Sequence, residues 1–211
     1  MRYYPVGIDT KDKKILVVGG GRAAYLKIKQ LVYTWACVTV ISKQFCEEVI
    51  ELNKVFSKNL ILQTKVIEIN NIDIETEYNL VFICTDSKEL NLEIYKYFSD
   101  RNVLSMMSNN RENSDFITMS TMEKENTTVS VSTEGRSPTA SKLMLSEIEK
   151  ILNDEFMEKI NLLCEIRELL LNEKNKSKEN ISSIMESLIL YDNKDLKTKI
   201  KIMKEINNAG E

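Results

Sequence analysis

The sequence predicts an α/β fold for its N-terminal half and an all-helical region at its C-terminus. Three observations lead to this prediction. Short apolar runs alternate with amphipathic stretches up to about residue 107. Two strand-like runs in the middle of the chain lie close enough to pair, and beyond residue 153 there is no proline and only Gly210 as a glycine. The 211 residues suffice for one moderate domain and a smaller one.

Apolar runs, several of them rich in β-branched residues, predict the strands of the first part. They are residues 15–18, 37–42, 78–85 and 102–107, with one or two further short strands within 59–69. Amphipathic stretches between them predict helices over 23–33, 47–55 and 89–98. Strands separated by helices favour a parallel sheet covered on both faces, so this part is predicted to be Rossmann-like. Trp35, Met106 and Met107 are interpreted as core residues.

The middle of the chain predicts a different arrangement. Residues 115–120 and 126–133 predict an antiparallel pair, and Ser137 with Pro138 offers an N-cap and a first-turn proline for the next helix. Beyond residue 153 three apolar stripes predict helices, with a polar link at 172–180. The sequence thus predicts three parts, over residues 1–113, 114–152 and 153–211.

Composition removes several classes of function. The chain has no histidine, which excludes imidazole bases, Ser-His triads and His-rich metal sites. The net charge is −3 without a dense Lys/Arg run, so nucleic acid is not expected as a partner. No apolar run reaches the length of a membrane span, and the N-terminus lacks the apolar core of a signal peptide. Four cysteines without CxxC spacing favour a reducing cytoplasm, and no metal site is predicted.

A glycine-rich turn follows the first predicted strand. Gly19-Gly20-Gly21-Arg22-Ala23-Ala24 fits G-x-G-x-x-G/A, with Ala24 in the tolerated last position. Gly19 is expected to permit the tight turn, Gly21 to let a diphosphate approach the backbone, and Ala24 to keep helix and strand close. The amides that open the helix then face the anion. The turn therefore predicts dinucleotide binding, with a purely structural glycine turn as the alternative.

The residues after two other strands complete the predicted nucleotide site. Ser42, Lys43 and Gln44 follow the second strand, where a ribose-binding carboxylate is usual and none is present. Ser42 is predicted to bond the ribose, while Lys43 either accepts a 2′-phosphate or is simply solvated, which leaves NAD and NADP both open. Thr85 and Asp86 follow the buried strand at 78–85, where Asp86 serves either a ligand or the turn itself.

Several segments, taken together, resemble the precorrin-2 dehydrogenase family, whose members make sirohydrochlorin on the way to siroheme and cobalamin. The lead-in "YYPVG", the triple glycine and Lys27 resemble the start of that family. "CTDSKELN" resembles its T-D-x-x-x-x-N segment, which places Thr85, Asp86 and Asn91. "SDFITMS" and "VSVSTEGRSPTASKLMLSEIE" resemble its D-F-I-x-P-S and S-T-x-G-x-S-P segments, with Met119 in place of the first proline.

The resemblance implies an enzyme that oxidises precorrin-2 with NAD, in the cytoplasm. It also implies a homodimer in which residues 114–152 form the dimerisation segment, and it favours NAD over NADP. Precorrin-2 carries many carboxylates, so its cleft must be rich in donors and positive charge. The predicted substrate-binding residues lie in the hydroxyl-rich turn and the helix behind it, with ordinary helix capping as the alternative: Ser132, Thr133, Gly135, Arg136, Ser137 and Lys142.

One position departs from the family. The family places an aspartate after the fifth strand as base and chelatase residue, and Asn109 (or Ser108, if the loop has slipped) stands there in this chain. An amide does not take a proton at neutral pH, although it can position a substrate. The nearest ionisable alternatives are Glu112, Asp115 and Glu134.

That departure leaves three alternatives. The first is a working dehydrogenase with doubtful chelatase activity. The second is a catalytically impaired protein that binds tetrapyrrole or nucleotide as a carrier or partner. The third is a bifunctional dehydrogenase and ferrochelatase. A generic nucleotide-sensing module is a residual possibility, which leaves the G-x-S-P turn without a purpose.

Overall fold

Five parallel strands form the sheet of the first compact unit, Met1–Thr118; the second unit is Met119–Glu211. The computed structural model describes residues 2–66, 68, 77–110, 112–172 and 178–209. The strands are β1 (Lys14–Val18), β2 (Cys37–Ser42), β3 (Leu60–Thr64), β4 (Leu80–Ile83) and β5 (Leu104–Met107), in the order β3-β2-β1-β4-β5. The helices are α1 (Arg22–Leu31), α2 (Glu47–Val55) and α3 (Lys88–Ser99).

The direction of strand order reverses at β1, which pairs with β2 on one side and β4 on the other. In open α/β sheets such a switch point opens a crevice at the carboxyl ends of the strands. The predicted parallel, Rossmann-like sheet is therefore confirmed. In the part of 59–69 beyond β3, residues 65, 66 and 68 belong to no strand, and residues 67 and 69 lie outside the described residues.

Side chains of β1 fill two separate apolar cores. Ile15 and Val17 are fully buried in one cluster, while Leu16 and Val18 are fully buried in another. Successive side chains of a strand point to opposite faces, so both faces of the sheet are covered. Ala24 and Ile28 of α1 belong to the first cluster, and Ile94 and Phe98 of α3 belong to the second.

Side chains, rather than a further strand, close the edge of the sheet at β5. The Asp115 carboxylate accepts a hydrogen bond from the Ser105 N–H (2.8 Å), and Ser114 Oγ accepts one from the Met107 N–H (2.9 Å). Asp115 N donates to Ser105 O (2.9 Å), and the Phe116 ring packs edge-on against Phe82. The predicted antiparallel pair of strands is present, but the bounds 115–120 of its first strand are wrong: that strand begins only at Ser120, because Asp115 bonds to β5 instead.

Of the three residues interpreted as core, two are buried and one is not. Met106 and Met107 are buried in the two clusters. Trp35 is 76% exposed, so its placement in the core is wrong. It lies in the turn between α1 and β2, where its backbone N–H donates to Thr10 Oγ1 (3.2 Å). The smaller neighbour Ala36 takes the buried position.

The second unit combines a hairpin with four helices. Strands β6 (Ser120–Lys124) and β7 (Thr127–Val131) pair antiparallel around a two-residue turn in which Glu125 has φ 51°. Helix α4 (Pro138–Ile151) begins as predicted, since Ser137 Oγ accepts a hydrogen bond from Ala140 N (3.1 Å) and Pro138 occupies the first turn. Helices α5 (Asp154–Asn172), α6 (Lys178–Leu188) and α7 (Asn193–Ala209) follow.

The predicted stripes of the last three helices form one core, which includes Ile166, Ile181, Leu196 and Met203. Ile206 is 65% exposed, so the buried stripe of α7 ends at Met203. The chain divides into two units at 118/119; the finer division at 113/114 and 152/153 stays a prediction.

Candidate functional site

Three loops meet at the carboxyl edge of the parallel sheet around a cavity of about 750 Å³. They follow β1, β2 and β4, on either side of the point where strand order reverses. All of the predicted nucleotide-site residues except Ala24 line it: Gly19, Gly20, Gly21, Arg22, Ala23, Ser42, Lys43, Gln44, Thr85 and Asp86. Ala24 lies instead in the core beneath α1, in agreement with its expected packing role. Phe45, Cys46 and Cys84 also line the cavity, although the sequence did not predict them.

The three glycines of the first loop serve different ends. Gly19 has φ 115°, and a Cβ there would lie 2.5 Å from the Cys84 carbonyl oxygen. A Cβ on Gly20 would overlap the Gln44 carbonyl oxygen, a contact that the G-x-G-x-x-G pattern does not predict. A Cβ on Gly21 would meet nothing within 4 Å. Gly19 and Gly20 thus allow the loops to pack, and Gly21 leaves the backbone open to a ligand.

The start of α1 is unusually open to an anion. Its N-cap is Gly21, which has no side chain to cap the helix, and its first turn contains no acidic residue. The first intrahelical bond runs from Tyr25 N to Gly21 O (3.0 Å), so the N–H groups of Arg22, Ala23 and Ala24 come before the helical ladder. Such amides, with the positive end of the helix dipole, fit the diphosphate of a dinucleotide.

The Arg22 side chain turns away from this amide cluster toward α2. Its guanidinium donates to Glu48 Oε1 (2.6 Å) and lies 4.9 Å from the centre of the Tyr25 ring. A hydrogen bond from the Glu48 backbone N–H lowers the pKa of the Glu48 carboxyl, with Cys46 and Arg22 contributing less. Arg22 therefore offers the site its backbone amide more directly than its charge.

In the loop after β2, the Ser42 hydroxyl forms a hydrogen bond within the loop itself. Ser42 is buried, and its Oγ donates to the Gln44 carbonyl oxygen (2.7 Å), the atom that lies against Gly20. The Ser42 hydroxyl thus shapes the loop, which weakens its predicted role as a ribose ligand. Lys43 is exposed at the cavity and is the loop's charged group.

Asn91 explains the T-D-x-x-x-x-N pattern after β4. It is fully buried, its Nδ2 donates to the Thr85 carbonyl (3.0 Å) and its Oδ1 accepts from Thr85 Oγ1 (2.5 Å). Ser87 caps α3 by accepting a hydrogen bond from Leu90 N (3.2 Å). These bonds fix the loop and leave Asp86 exposed at the cavity.

The family's aspartate position is not part of this cavity lining. Asn109 is exposed in the turn after β5 and does not line the cavity.

Asp115 is held by Tyr95 and Ser105: its Oδ1 accepts from Tyr95 Oη (2.8 Å) and its Oδ2 from Ser105 N. The hydrogen bond to Asp115 raises the pKa of the Tyr95 hydroxyl. Asp115 is therefore a structural carboxylate. Of the other two alternatives, Glu112 is exposed, and Glu134 belongs to the second unit in a turn with φ 51°.

We expect Asp115→Ala to lower the free energy of unfolding by about 2 kcal/mol, because the fully buried Ser105 loses the acceptor of its N–H. Urea unfolding followed by circular dichroism measures this change. Glu112→Ala is the matched control, since that side chain is exposed nearby, and it is expected to stay within about 0.5 kcal/mol of the wild type. A stable Asp115→Ala protein without turnover would instead assign proton transfer to Asp115.

The predicted substrate-binding residues of the second unit build a tight turn. Thr133 Oγ1 donates to the Ser137 carbonyl (3.0 Å) and accepts from Ser137 N (3.1 Å), while Ser132 Oγ accepts from Glu134 N (3.0 Å). Gly135 has φ 67°. Arg136 and Lys142 are exposed. The hydroxyls of this turn thus fit the capping interpretation, and the two basic side chains remain its candidates for binding an anionic ligand.

Among the described residues, no group of three or more Cys, Asp or Glu side chains is placed to hold a metal ion. None of the helices in that part of the chain combines the length and apolar character that a bilayer crossing needs.

Comparison with known proteins agrees with this geometry. The model of the NAD_binding_7 family, described as NAD(P)-binding, matches residues 6–120, just over half of the chain. The chain is similar to siroheme synthases: it is 29% identical to that of Pseudoalteromonas atlantica over 80% of this chain and 34% of the relative. It is 31% identical to that of Buchnera aphidicola over 72% of this chain and 31% of the relative.

The chain spans less than half the length of the curated relatives it matches. Among solved structures, it is similar to one named "SirC, precorrin-2 dehydrogenase", with a TM-score of 0.71 and 20% identity over 94% of this chain and 99% of that one. This likeness shows a shared fold. The predicted resemblance as a whole is confirmed.

Proposed function

The chain belongs to the NAD_binding_7 family of NAD(P)-binding domains, and from this premise we propose that it oxidises precorrin-2 to sirohydrochlorin with NAD as hydride acceptor. The observation that carries the proposal is the first loop, where Gly21 is unobstructed at an uncapped helix start. Similarity to siroheme synthases, and to a solved structure named as a precorrin-2 dehydrogenase, supports the choice of substrate.

Each lining segment has a distinct task in this proposal. The amides of Arg22 and Ala23 bind the diphosphate, and the loop of Ser42, Lys43 and Gln44 faces the ribose. Thr85 and Asp86 lie at the switch point, where the reacting half of a dinucleotide belongs. The bound nicotinamide supplies the redox chemistry, and the protein positions the two reactants. Oxidation removes a hydride and a proton from the ring. Loss of the hydride makes the pyrrolic system more acidic, so the proton leaves with little help from a protein base.

The direct test is an anaerobic assay of the purified chain with precorrin-2 and NAD, NADP or neither. We expect the macrocycle's absorbance change to coincide with the appearance of NADH, at a higher rate with NAD than with NADP. Ferrous iron added in a further arm reports on chelation, through siroheme formed above the uncatalysed rate. A protein that binds NAD and never oxidises precorrin-2 would contradict the proposed enzyme.

A second candidate, a catalytically impaired carrier or partner, is favoured by a single observation: Asn109 stands at the family's aspartate position. We expect Asn109→Asp to change kcat for precorrin-2 oxidation by less than about threefold, because this exposed residue does not line the nucleotide cavity. Steady-state kinetics at saturating NAD measure the effect. A rise of tenfold or more would indicate a degenerate active site and favour the second candidate.

We further propose that the protein acts as a homodimer through α4. Leu143, Met144 and Ile151 are 62%, 51% and 59% exposed, which leaves the apolar side of this helix uncovered in a single chain. A second copy supplies a matching apolar face by symmetry. We expect Leu143→Glu to shift the protein from dimer to monomer in analytical ultracentrifugation. Glu149→Lys, on the exposed polar side of α4, is expected to leave the dimer intact.

We place the reaction in the cytoplasm. All four cysteines of the chain (Cys37, Cys46, Cys84 and Cys164) are free thiols, which suits a reducing compartment.

A further inference from the structure

Lys27 lies on the inner side of α1 and is half-buried. The residues before and after it on the same side, Ala24 and Ile28, are fully buried against the sheet. Its Nζ donates a hydrogen bond to Thr118 Oγ1 (2.6 Å). An ammonium has three donors, and this hydroxyl uses one of them.

The charge of Lys27 has no opposite charge beside it among the described residues, where its ammonium bonds only to the Thr118 hydroxyl and faces the Cys84 thiol. Burial raises the pKa of that thiol to about 11, so Cys84 is neutral at physiological pH. Burial likewise lowers the pKa of Lys27. A half-buried ammonium without an anion is costly to maintain, and an incoming carboxylate would reduce that cost.

Lys27 lies next to the wall of the nucleotide cavity. Cys84 follows β4 and lines the cavity, and it is near enough to Lys27 and to Ser108 for both to lower its pKa against the larger effect of burial. Ser108 follows β5, and its N–H donates to the Ile83 carbonyl (2.9 Å). The Lys27 ammonium therefore belongs to the β4–β5 side of the carboxyl edge, beside the loop that carries Thr85 and Asp86.

We propose that Lys27 is a positioning residue whose ammonium binds a carboxylate of the tetrapyrrole and holds the ring beside the nucleotide. This inference rests on the proposed function, since it takes the substrate to be a polycarboxylate. It differs from a structural role, in which Lys27 would serve only to hold Thr118 at the end of the first unit.

Four variants separate these two roles. Lys27→Met removes the charge and keeps the apolar stem, while Lys27→Arg keeps the charge. Thr118→Val removes the hydroxyl that Lys27 holds and keeps the shape. Lys29→Met is the matched control, because Lys29 is exposed on the same helix, 5.9 Å from the centre of the Tyr25 ring.

The first readout is the affinity for sirohydrochlorin without any nucleotide, titrated through the ring's own fluorescence. The second is KM and kcat for precorrin-2 at saturating NAD, and the third is NAD affinity by calorimetry. For Lys27→Met we expect a loss of sirohydrochlorin affinity of about tenfold or more, a similar rise in KM, and a kcat and an NAD affinity within about threefold of the wild type. Lys27→Arg should restore most of the affinity, and Thr118→Val and Lys29→Met should stay within about twofold.

The outcomes distinguish the two proposals. Wild-type protein that binds sirohydrochlorin, with an affinity that Lys27→Met retains or that Thr118→Val reduces equally, overturns the role of Lys27 and leaves the proposed function standing. Wild-type protein that neither binds sirohydrochlorin nor oxidises precorrin-2 overturns the proposed function, and this inference with it.

Discussion

Gly21→Asp is expected to abolish NAD binding, and with it precorrin-2 oxidation, in a protein that remains folded. The new carboxylate would stand at the open N-terminus of α1, where the diphosphate belongs, and would repel it. The fold should tolerate the change, because a Cβ at Gly21 meets nothing within 4 Å and the backbone there has φ −88°. Calorimetric titration with NAD should show affinity reduced by at least about 100-fold.

Gly7→Asp is the matched control for that experiment. Gly7 also has nothing within 4 Å of an added Cβ, but it does not line the cavity. The same charge should therefore leave NAD affinity within about twofold of the wild type. NAD binding that survives Gly21→Asp would place the nucleotide elsewhere and contradict the proposed site.

Alanine at Gly20 is expected to lower the free energy of unfolding by about 3 kcal/mol or more. The added Cβ would overlap the Gln44 carbonyl oxygen and approach Ser42 Oγ to 2.8 Å. The first of these is a backbone atom fixed by the loop after β2, so it cannot yield as a flexible side chain would. Gly19→Ala should behave similarly, since φ 115° and the Cys84 carbonyl oxygen at 2.5 Å both oppose a side chain.

Gly21→Ala, in contrast to Gly20→Ala, is expected not to lower the free energy of unfolding. This residue is free of neighbours, so alanine should leave the free energy of unfolding unchanged or raise it by up to about 1 kcal/mol, through a less flexible unfolded chain. Urea unfolding of the three alanine variants measures the difference between consecutive positions. Equal stability of Gly20→Ala and Gly21→Ala would contradict the tight packing of the first loop against Gln44.

The sheet and most of its helices were predictable because their signals are local. Residues 37–42 and 47–55 form a strand and a helix with the predicted bounds, since apolar periodicity and neighbouring polar residues define both. Segment 115–120 was not predictable in this way. Its β-like composition is local, but its partner Ser105 is remote in sequence and bonds to the carboxylate and the N–H of Asp115 alone rather than to a paired strand.

The nucleotide loop was predictable for the same reason, and so were the lining residues that directly follow β2 and β4, whereas the contacts between these loops were not. Gly19 and Gly21 belong to a contiguous pattern. The need for glycine at position 20 depends on Gln44, which only the folded chain brings near. Lys27 and Cys84 are similarly distant in sequence, and a single basic residue on a helix does not reveal which strand end it will face.

The closure of β5 by Ser114 and Asp115 bears on how this protein behaves when concentrated. An open terminal strand is a template on which another chain can add its own backbone, and such growth leads to fibrils or inclusion bodies. Here the Ser114 hydroxyl and the Asp115 carboxylate already accept hydrogen bonds from the β5 amides to which an added strand would have to bond. The first unit is thereby protected on this flank against self-templated polymerisation.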